Sequence, residues 1–335
     1  LYDVGDGICH QVLSEGGHFT CGDLVVGADT HSTTYGAFNV LGTGVEVTDV
    51  VAVMMTGKLW FRVPETLRIV LRGELQLGVW AKDVTLHLLG RLGSEGADYK
   101  ALEFYGKGIT AMGIDDRMTL SNHMAELGAK AALLDADEKT LAWLKAHGAK
   151  DPHPVKADPD AIYAGQIDID AARLEPQVAC RHVIDDVVNA SDVKGQRIHV
   201  GLIGTCTNGR LDDLRQAAEI LRGKHIAKGV RLYVTPASRE VYLAAAREGL
   251  METFTRAGAS VDAASCGGCV SFNGHFISGD GEIIISTANR NFKGRLGNPL
   301  SEIWIGSAAT VAASALTGTI TDPREVEGGQ WRPVP

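Results

Sequence analysis

Three cysteines form the pattern in this 335-residue chain that could most readily do chemistry. Cys266 and Cys269 enclose two glycines, and Cys206 lies far upstream in Gly204-Thr205-Cys206-Thr207-Asn208. Soft thiolate ligands select zinc, copper(I) or iron–sulfur clusters. A cluster held by only three cysteines leaves one iron without a protein ligand, and such an iron can act on substrate as a Lewis acid. From spacing alone, a structural zinc site, a redox dithiol and ordinary buried cysteines stay open beside the cluster.

A closed zinc site is the rival from another class of function. Its fourth ligand would be a histidine such as His199 or His275, and the chain would then be a non-catalytic binding or assembly protein. Cys9, Cys21 and Cys180 match no ligand pattern, and we interpret them as small buried side chains.

Composition and net charge limit the kinds of partner and cellular setting that we expect for this chain. The net charge is −9 and no long basic run occurs, so nucleic acid is not expected as a partner, and an anionic substrate would need specific arginines. The apolar runs are too short to cross a membrane. Six cysteines are too few for a disulfide framework, and no leader pattern opens the chain, so we expect a reduced, cytoplasmic setting. The start at Leu1 reads like the middle of a domain, and we expect a further N-terminal segment.

The positions of these residues depend on a repeating pattern of elements from residue 197 onward. Apolar segments alternate with helical ones, which indicates a parallel sheet covered by helices on both faces. The predicted strands are 198–203, 230–234, 259–261, 282–286 and 302–306. Ligands bind at the carboxyl ends of such strands. Cys206, the Cys266–Cys269 pair and the Arg290–Arg295 loop each follow one of these strands, so the sequence predicts that they share a site.

The earlier part of the chain holds further polar candidates. Residues 23–27 predict a buried strand, and the polar loop that follows carries Asp29 and His31, where the carboxylate could orient the imidazole or favour its protonated form. Residues 119–132 predict a helix with Asn122 and Glu126 on one face. The proline- and charge-rich stretch 149–195 predicts a connection running over the surface. We expect domains at 1–65, 66–190 and 191–335.

Six segments, in order, resemble motifs of the aconitase superfamily. They are Gly7-Ile8-Cys9-His10-Gln11, Gly27-Ala28-Asp29-Thr30-His31-Ser32, Ser121-Asn122-His123-Met124-Ala125-Glu126-Leu127-Gly128, Gly204-Thr205-Cys206-Thr207-Asn208, Cys266-Gly267-Gly268-Cys269 and Ala288-Asn289-Arg290-Asn291-Phe292-Lys293-Gly294-Arg295. The chain ends without the swivelling domain of single-chain aconitases. It therefore looks like the large subunit of the two-subunit members, which are isopropylmalate isomerase (3-isopropylmalate dehydratase), homoaconitase and dimethylmalate dehydratase.

The resemblance implies an α/β fold of three α/β/α domains, with parallel or mixed sheets, around a central [4Fe–4S] cluster. Cys206, Cys266 and Cys269 would hold that cluster. A separate small subunit, the swivelling domain, would close the site and supply a serine base and further arginines. The lone chain is then expected to be inactive.

The resemblance also implies a role for each polar candidate. His10, Asp29, His31 and Glu126 would be catalytic, because loss of hydroxide needs a Lewis acid together with a proton donor. Arginine forks suit a substrate with two or three carboxylates. The substrate-binding candidates are Thr30, Asn122, Asn289, Arg290, Arg295 and, ranked last, Glu103. Thr30 departs mildly from the family's usual serine.

The activity implied is that of a hydro-lyase that isomerises a 2-hydroxy di- or tricarboxylate by dehydration and rehydration. Isopropylmalate isomerase is the first choice, homoaconitase the second and dimethylmalate dehydratase the third.

Overall fold

The computed structural model describes residues 1–269 and 276–326. The chain divides into two compact units. Unit 1 comprises Leu1–Val12, Gln76–Arg91 and Leu174–Pro335, and unit 2 comprises Leu13–Leu75 and Leu92–Arg173. Within the described ranges, no helix is long and apolar enough to cross a bilayer.

The strands and α-helices alternate along much of the chain. The strands are β1 Leu24–Gly27, β2 Leu41–Gly44, β3 Thr66–Arg72, β4 Ala101–Tyr105, β5 Ala131–Leu134, β6 Gly165–Asp170, β7 Gln177–Ala179, β8 Val187–Asn189, β9 Val200–Ile203, β10 Arg231–Val234, β11 Ser260–Val261, β12 Ile283–Ser286 and β13 Glu302–Gly306. The helices are α1 Cys9–Glu15, α2 Val47–Thr56, α3 Ala81–Leu92, α4 Lys107–Ala111, α5 Ile114–His123, α6 Glu138–Ala146, α7 Thr205–Asn208, α8 Leu211–Leu221, α9 Arg239–Arg247, α10 Leu250–Ala257 and α11 Ala308–Thr317.

Unit 1 is built on a seven-stranded sheet of order β11-β10-β9-β12-β13-β7-β8. The five strands from β11 to β13 are parallel, and β7 and β8 are antiparallel. All four residues of β9 are buried, as a central parallel strand covered on both faces requires. The predicted parallel sheet is confirmed, and β7 and β8 make it a mixed one.

Unit 2 contains two separate sheets. Strands β5-β4-β3-β6 form a parallel four-stranded sheet, and β1-β2 form a parallel pair. The strand predicted at 23–27 exists, but its burial was predicted wrongly, because Leu24 is 54% exposed.

The surface connection predicted at 149–195 was wrong in large part, since β6, β7 and β8 lie within it. β7 and β8 are three residues long, too short for a periodic signal, and β6 alternates exposed residues with inward ones along the edge of its sheet.

The helix predicted at 119–132 was also wrong in its bounds. α5 ends at His123, and a 3₁₀ turn, Met124–Leu127, closes at Gly128 with φ of 80°. A Cβ there would lie 2.9 Å from Asp98 Cα, so only glycine fits this left-handed position. Asn122 therefore lies on α5 and Glu126 on the 3₁₀ turn, and the two do not share one face of an α-helix.

Three domains at 1–65, 66–190 and 191–335 stay a prediction, because one compact unit can contain two separate sheets, as unit 2 does. The structure adds that residues 76–91 and strands β7 and β8 belong to unit 1.

A buried ion pair in unit 2 provides a test of the fold. Arg117 is 1% exposed and donates from Nη1 to Asp137 Oδ1 at 2.9 Å, and Asp137 also caps α6 by accepting from Thr140 N–H. Asp137→Ala should lower the free energy of unfolding by about 3 kcal/mol, because it leaves a buried guanidinium without its carboxylate and removes the cap. Asp168→Ala, which breaks the exposed pair with Arg72, is the matched control. Equal losses in urea denaturation would contradict this account.

Candidate functional site

Cys206 owes its place to the turn after β9. Gly204 has φ of 151°, and a Cβ on it would lie 2.8 Å from the Thr235 carbonyl oxygen, so the backbone approach requires glycine. Thr205 follows at φ of 69°, and α7 then begins at once. Cys206 on this short helix is 5% exposed, so the strand's end delivers a buried thiol.

The Cys266–Cys269 loop is shaped by its two central glycines. A Cβ on Gly267 would lie 2.7 Å from Thr235 Oγ1, and a Cβ on Gly268 would lie 2.8 Å from Leu202 Cδ1. Residues Gly267–Cys269 form a 3₁₀ turn. The glycines thus let this loop pack directly onto the ends of β9 and β10.

The structure brings the three predicted thiols together. Cys206 packs in one cluster with Ile8 and Ala237, and Cys266 packs against it. A hydrogen bond with Cys269, then burial, then the charge of Cys206 raise the pKa of Cys266, while the Cys206 backbone N–H donates to its sulfur. Three thiolates crowded in this way repel one another, so the arrangement suits a bound cation or cluster that offsets their charge.

The Asn289–Arg295 loop reaches the same thiols. Arg295 Nη2 lies 3.2 Å from Cys269 Sγ, and Asn289 Oδ1 lies 3.7 Å from Cys206 Sγ. Asn289 Oδ1 also accepts from Thr207 Oγ1. The Nε of Arg295 is buried without a hydrogen-bond partner among the described residues, and Arg290 is half-buried one position after Asn289. A guanidinium donor of Arg295 therefore stands beside the Cys269 sulfur.

His10 lies near this site through its own segment. The residue is 2% exposed at the start of α1, with Nδ1 3.7 Å from Cys9 Sγ. Two positions earlier, Ile8 donates its N–H to the Ala237 carbonyl at 2.8 Å and packs against Cys206. The motif that predicted His10 thus runs along the cysteine cluster.

Sequence reasoning missed Arg210. This side chain is 1% exposed and donates to the carbonyl oxygens of Cys206 at 2.6 Å and Thr207 at 2.5 Å. It holds the last turn of α7, where carbonyls have no helical partner. The charged residue directly before α8 was the only signal, and a helix start explains such a residue equally well.

A second group of polar residues lies in unit 2. His31 Nε2 and Glu126 Oε1 are 2.8 Å apart, and both side chains are 7% exposed. On the other side of the ring, His31 Nδ1 is 3.5 Å from Asp29 Oδ1, and that oxygen also accepts from the His31 backbone N–H at 2.8 Å. The imidazole therefore stands between two carboxylates.

The segment predicted as a polar loop is in fact a 3₁₀ helix, Thr30–Phe38, which is buried from His31 onward and has Asp29 as its N-cap. Thr34 Oγ1 donates to the His31 carbonyl at 2.6 Å and accepts from Asn122 Nδ2 at 2.8 Å. Asn122 is fully buried, so these bonds make it a support of the His31 turn. Its role as a substrate ligand stays a prediction.

Thr30 and Asp29 are exposed beside a cavity in unit 2. The cavity has a volume of about 690 Å³, and Glu46, Trp60 and Lys130 line it as well. Thr30 is thus accessible, as a substrate ligand must be.

Glu103 lies in a separate environment. It accepts hydrogen bonds from Tyr105 at 2.7 Å and from Tyr163 at 2.8 Å. Burial, then the bonds to Tyr163 and Glu103, raise the pKa of Tyr105. Arg68 lies over both tyrosine rings. These contacts tie β4 to the segment before β6, and substrate binding by Glu103 stays a prediction.

The position of His199 argues against it as the fourth ligand of a zinc site. His199 precedes β9 and its Nδ1 accepts from Ile283 N–H at 3.0 Å, whereas Cys206 follows the other end of the same strand. His275 lies outside the described residues. In the part of the chain that the structure describes, no three His, Cys, Asp or Glu side chains form a group that could hold a single metal ion. A four-iron cluster is larger than one ion, and its ligands need not converge on one point.

The sequence model of the aconitase family (aconitate hydratase) matches residues 1–318. The chain belongs to the aconitase family.

Similar proteins are named as large subunits. The chain is 49% identical over 326 residues to a probable methanogen homoaconitase large subunit of Methanosarcina mazei, covering 97% of this chain and 82% of that protein. It is 50% identical over 329 residues to 3-isopropylmalate dehydratase large subunit 1 of Thermotoga maritima, covering 97% and 78%. The crystal structure of Thermococcus kodakaraensis aconitase X in its holo-form matches with a TM-score of 0.47 and 14% identity over 84% of this chain and 66% of that one.

Family membership implies an iron–sulfur cluster. The donor set in unit 1 fits such a group, because the three thiols are neighbours and two N–H donors, from Arg295 and the Cys206 backbone, point at their sulfurs. Hydrogen bonds to sulfur are one of the ways in which proteins tune these clusters.

Metal loading tests the donor set directly. After anaerobic reconstitution with iron and sulfide, Cys206→Ser, Cys266→Ser and Cys269→Ser should each lose most bound iron and visible absorption, because each removes a thiolate ligand. Cys180→Ser is the control. Cys180 packs against a different part of the core from Cys206 and Cys266, so its loss should leave iron binding intact. A colourless protein that binds zinc, or equal iron in all variants, would contradict the assignment.

Proposed function

We propose that this chain is the large subunit of an iron–sulfur hydro-lyase that isomerises a 2-hydroxy di- or tricarboxylate, with 3-isopropylmalate as its first-choice substrate and leucine biosynthesis as its setting. The observation that carries the proposal is the meeting of three thiols with the Asn289–Arg295 loop. High identity to proteins named 3-isopropylmalate dehydratase large subunit supports the choice of reaction.

The cysteines would hold the cofactor. Cys206, Cys266 and Cys269 supply three ligands to a [4Fe–4S] cluster. When bound, such a cluster supplies a Lewis-acidic iron to a hydroxyl group that must leave.

The arginines would hold the substrate's carboxylates. Arg290 and Arg295 present planar forks that can bind carboxylates in a bidentate manner, and a substrate with two carboxylates needs more than one such contact. The buried Nε of Arg295, which has no partner in the described part of the chain, is one free donor. Since the chain's net charge is −9, attraction of an anion depends on these local groups.

The His31 group would move the proton. The 2.8 Å contact between His31 Nε2 and Glu126 Oε1 is short enough for direct proton transfer. Asp29 holds both the backbone and the ring of His31, which keeps Nε2 aimed at Glu126. Burial of the pair limits exchange of that proton with solvent.

Homoaconitase is the second candidate function. The observation in its favour is the 49% identity to a protein named probable methanogen homoaconitase large subunit. Both candidates act with a small subunit, and we assign discrimination of the substrate's side group to that partner.

Reconstitution with a partner tests the function. The lone chain, loaded with iron and sulfide, should show no turnover, and addition of a cognate small subunit should restore it. We expect the reconstituted pair to act on 3-isopropylmalate more efficiently than on homocitrate or citrate, measured as kcat/KM. Robust turnover by the lone chain would contradict the partner, and preference for homocitrate would favour the second candidate.

The kcat of variants at His31 and Glu126 tests the proposed role of this pair in proton transfer. Glu126→Gln and His31→Asn should each lower kcat of the reconstituted enzyme by about 10²- to 10⁴-fold, because each removes one side of the proton-transfer contact. The double variant should lose little more than either single one, since the two residues act as a unit. Glu74→Gln, which alters an exposed glutamate paired with Lys107, is the control. Additive losses would count against a shared step.

A further inference from the structure

Unit 1 contains a fully buried lysine that no role above has used. Lys82, the second residue of α3, is 0% exposed. Its Nζ donates to the carbonyl oxygens of Thr287 at 3.2 Å and of Ala288 at 3.0 Å. These two residues lie immediately before Asn289 and Arg290. We propose that Lys82 is a positioning residue, which fixes the backbone that carries both the cysteine contacts and the substrate arginines; its place in catalysis rests on the proposed function.

The backbone that Lys82 holds connects the arginine loop to the turn that carries Cys206. Thr287 Oγ1 donates to the Gly204 carbonyl at 2.9 Å and accepts from the Gly204 N–H at 3.0 Å, two positions before Cys206. Asn289 Oδ1 accepts from Thr207 Oγ1 and lies 3.7 Å from Cys206 Sγ. A shift of residues 287–289 would therefore move the start of α7 as well as the arginine loop.

Position along the strand explains why a side chain is needed. β12 ends at Ser286, so the Thr287 and Ala288 carbonyls lie past its last paired residue, where a buried carbonyl needs another donor. An ammonium offers several donors from one point charge and can serve both oxygens at once.

The lysine is itself held by its neighbours. Asp83 Oδ1 accepts from the Gln177 N–H at 2.9 Å, and its Oδ2 accepts from the Trp80 N–H at 2.8 Å. The Gln177 bond fastens the first turn of α3 to β7, which belongs to the same sheet as β12, and the Trp80 bond holds the residue just before α3. Lys82 thus reaches residues 287–288 from a rigid base.

Stability alone does not account for a lysine here. Taking an ammonium out of water is costly, and well-packed apolar residues in place of buried charges are often neutral or stabilising. What an apolar residue cannot do is bind two carbonyl oxygens. The charge is therefore best explained by the geometry that it imposes on the loop.

The test uses Lys82→Met, which keeps length without donors, and Lys82→Gln, which keeps a neutral donor. The matched control is Lys139→Met, because Lys139 likewise donates to several backbone carbonyls, those of Thr110, Ala111 and Met112 at the end of α4, but in unit 2. Alkylation by iodoacetamide, followed by mass spectrometry on the reduced, metal-free chain, reports the packing of Cys206. Cys21, buried in unit 2 at 1% exposure, is the internal reference.

We expect Lys82→Met to speed alkylation of Cys206 about tenfold or more relative to Cys21, because hydrogen bonds to a charged group are lost there. Lys82→Gln should lie between, and Lys139→Met should match the wild type. In the reconstituted enzyme, Lys82→Met should lower kcat/KM about 100-fold, the cost of misplacing groups by about 1 Å. Partial recovery by Lys82→Gln would separate positioning from mere packing.

Three outcomes would overturn the proposal. The first is an unchanged ratio of the Cys206 and Cys21 alkylation rates in Lys82→Met, and the second is an equal change of that ratio in Lys139→Met. The third is failure of both Lys82 variants to fold, which would make the lysine a requirement of the fold. If the wild-type pair converts none of the substrates, the proposed function fails, but the alkylation ratio still decides the role of Lys82.

Discussion

The close packing of glycine-containing loops at the carboxyl ends of β9 and β10 governs the cysteine site. Thr235, just past β10, meets Gly204 on one side and Gly267 on the other, and neither position has room for a Cβ. Leu202 closes on Gly268 in the same way. Because the glycines add no side chain of their own at these contacts, thiols that are far apart in sequence share one cluster of contacts. Any larger residue would push the loops apart and separate the ligands.

The proton group in unit 2 follows a different principle. Its residues are not crowded by glycines but held by hydrogen bonds, beginning with Asp29, which caps the 3₁₀ helix that carries His31. Asn122 supports the next part of that helix through Thr34. A buried imidazole between two carboxylates is costly unless all of its bonds are formed, so the surrounding hydroxyl and amide groups matter as much as the pair itself.

Much of this could be predicted from the sequence, and the errors have identifiable causes. Strand β13 was predicted at its observed bounds, 302–306, because a short apolar run between polar turns is typical of a buried strand. The helix predicted through 132 failed at Gly128, since a run of alanine and leucine suits a buried strand as well as a helix. His199 looked available as a ligand, yet the direction of β9 puts it at the wrong end of the strand.

The sequence by itself determined the chemistry of the donors, namely a Cys-Gly-Gly-Cys pair, a third cysteine at a strand end, and arginines two and seven positions after Ala288. These follow from local residue types, which a reader of the chain can count. Only the tertiary structure decided that Arg295 touches Cys269 and that His31 meets Glu126. It also decided that Lys82 holds the backbone at Thr287 and that Arg210 holds the backbone at Cys206. Such contacts join residues far apart in sequence, and they depend on strand order and on exact side-chain reach, neither of which leaves a periodic trace in the chain.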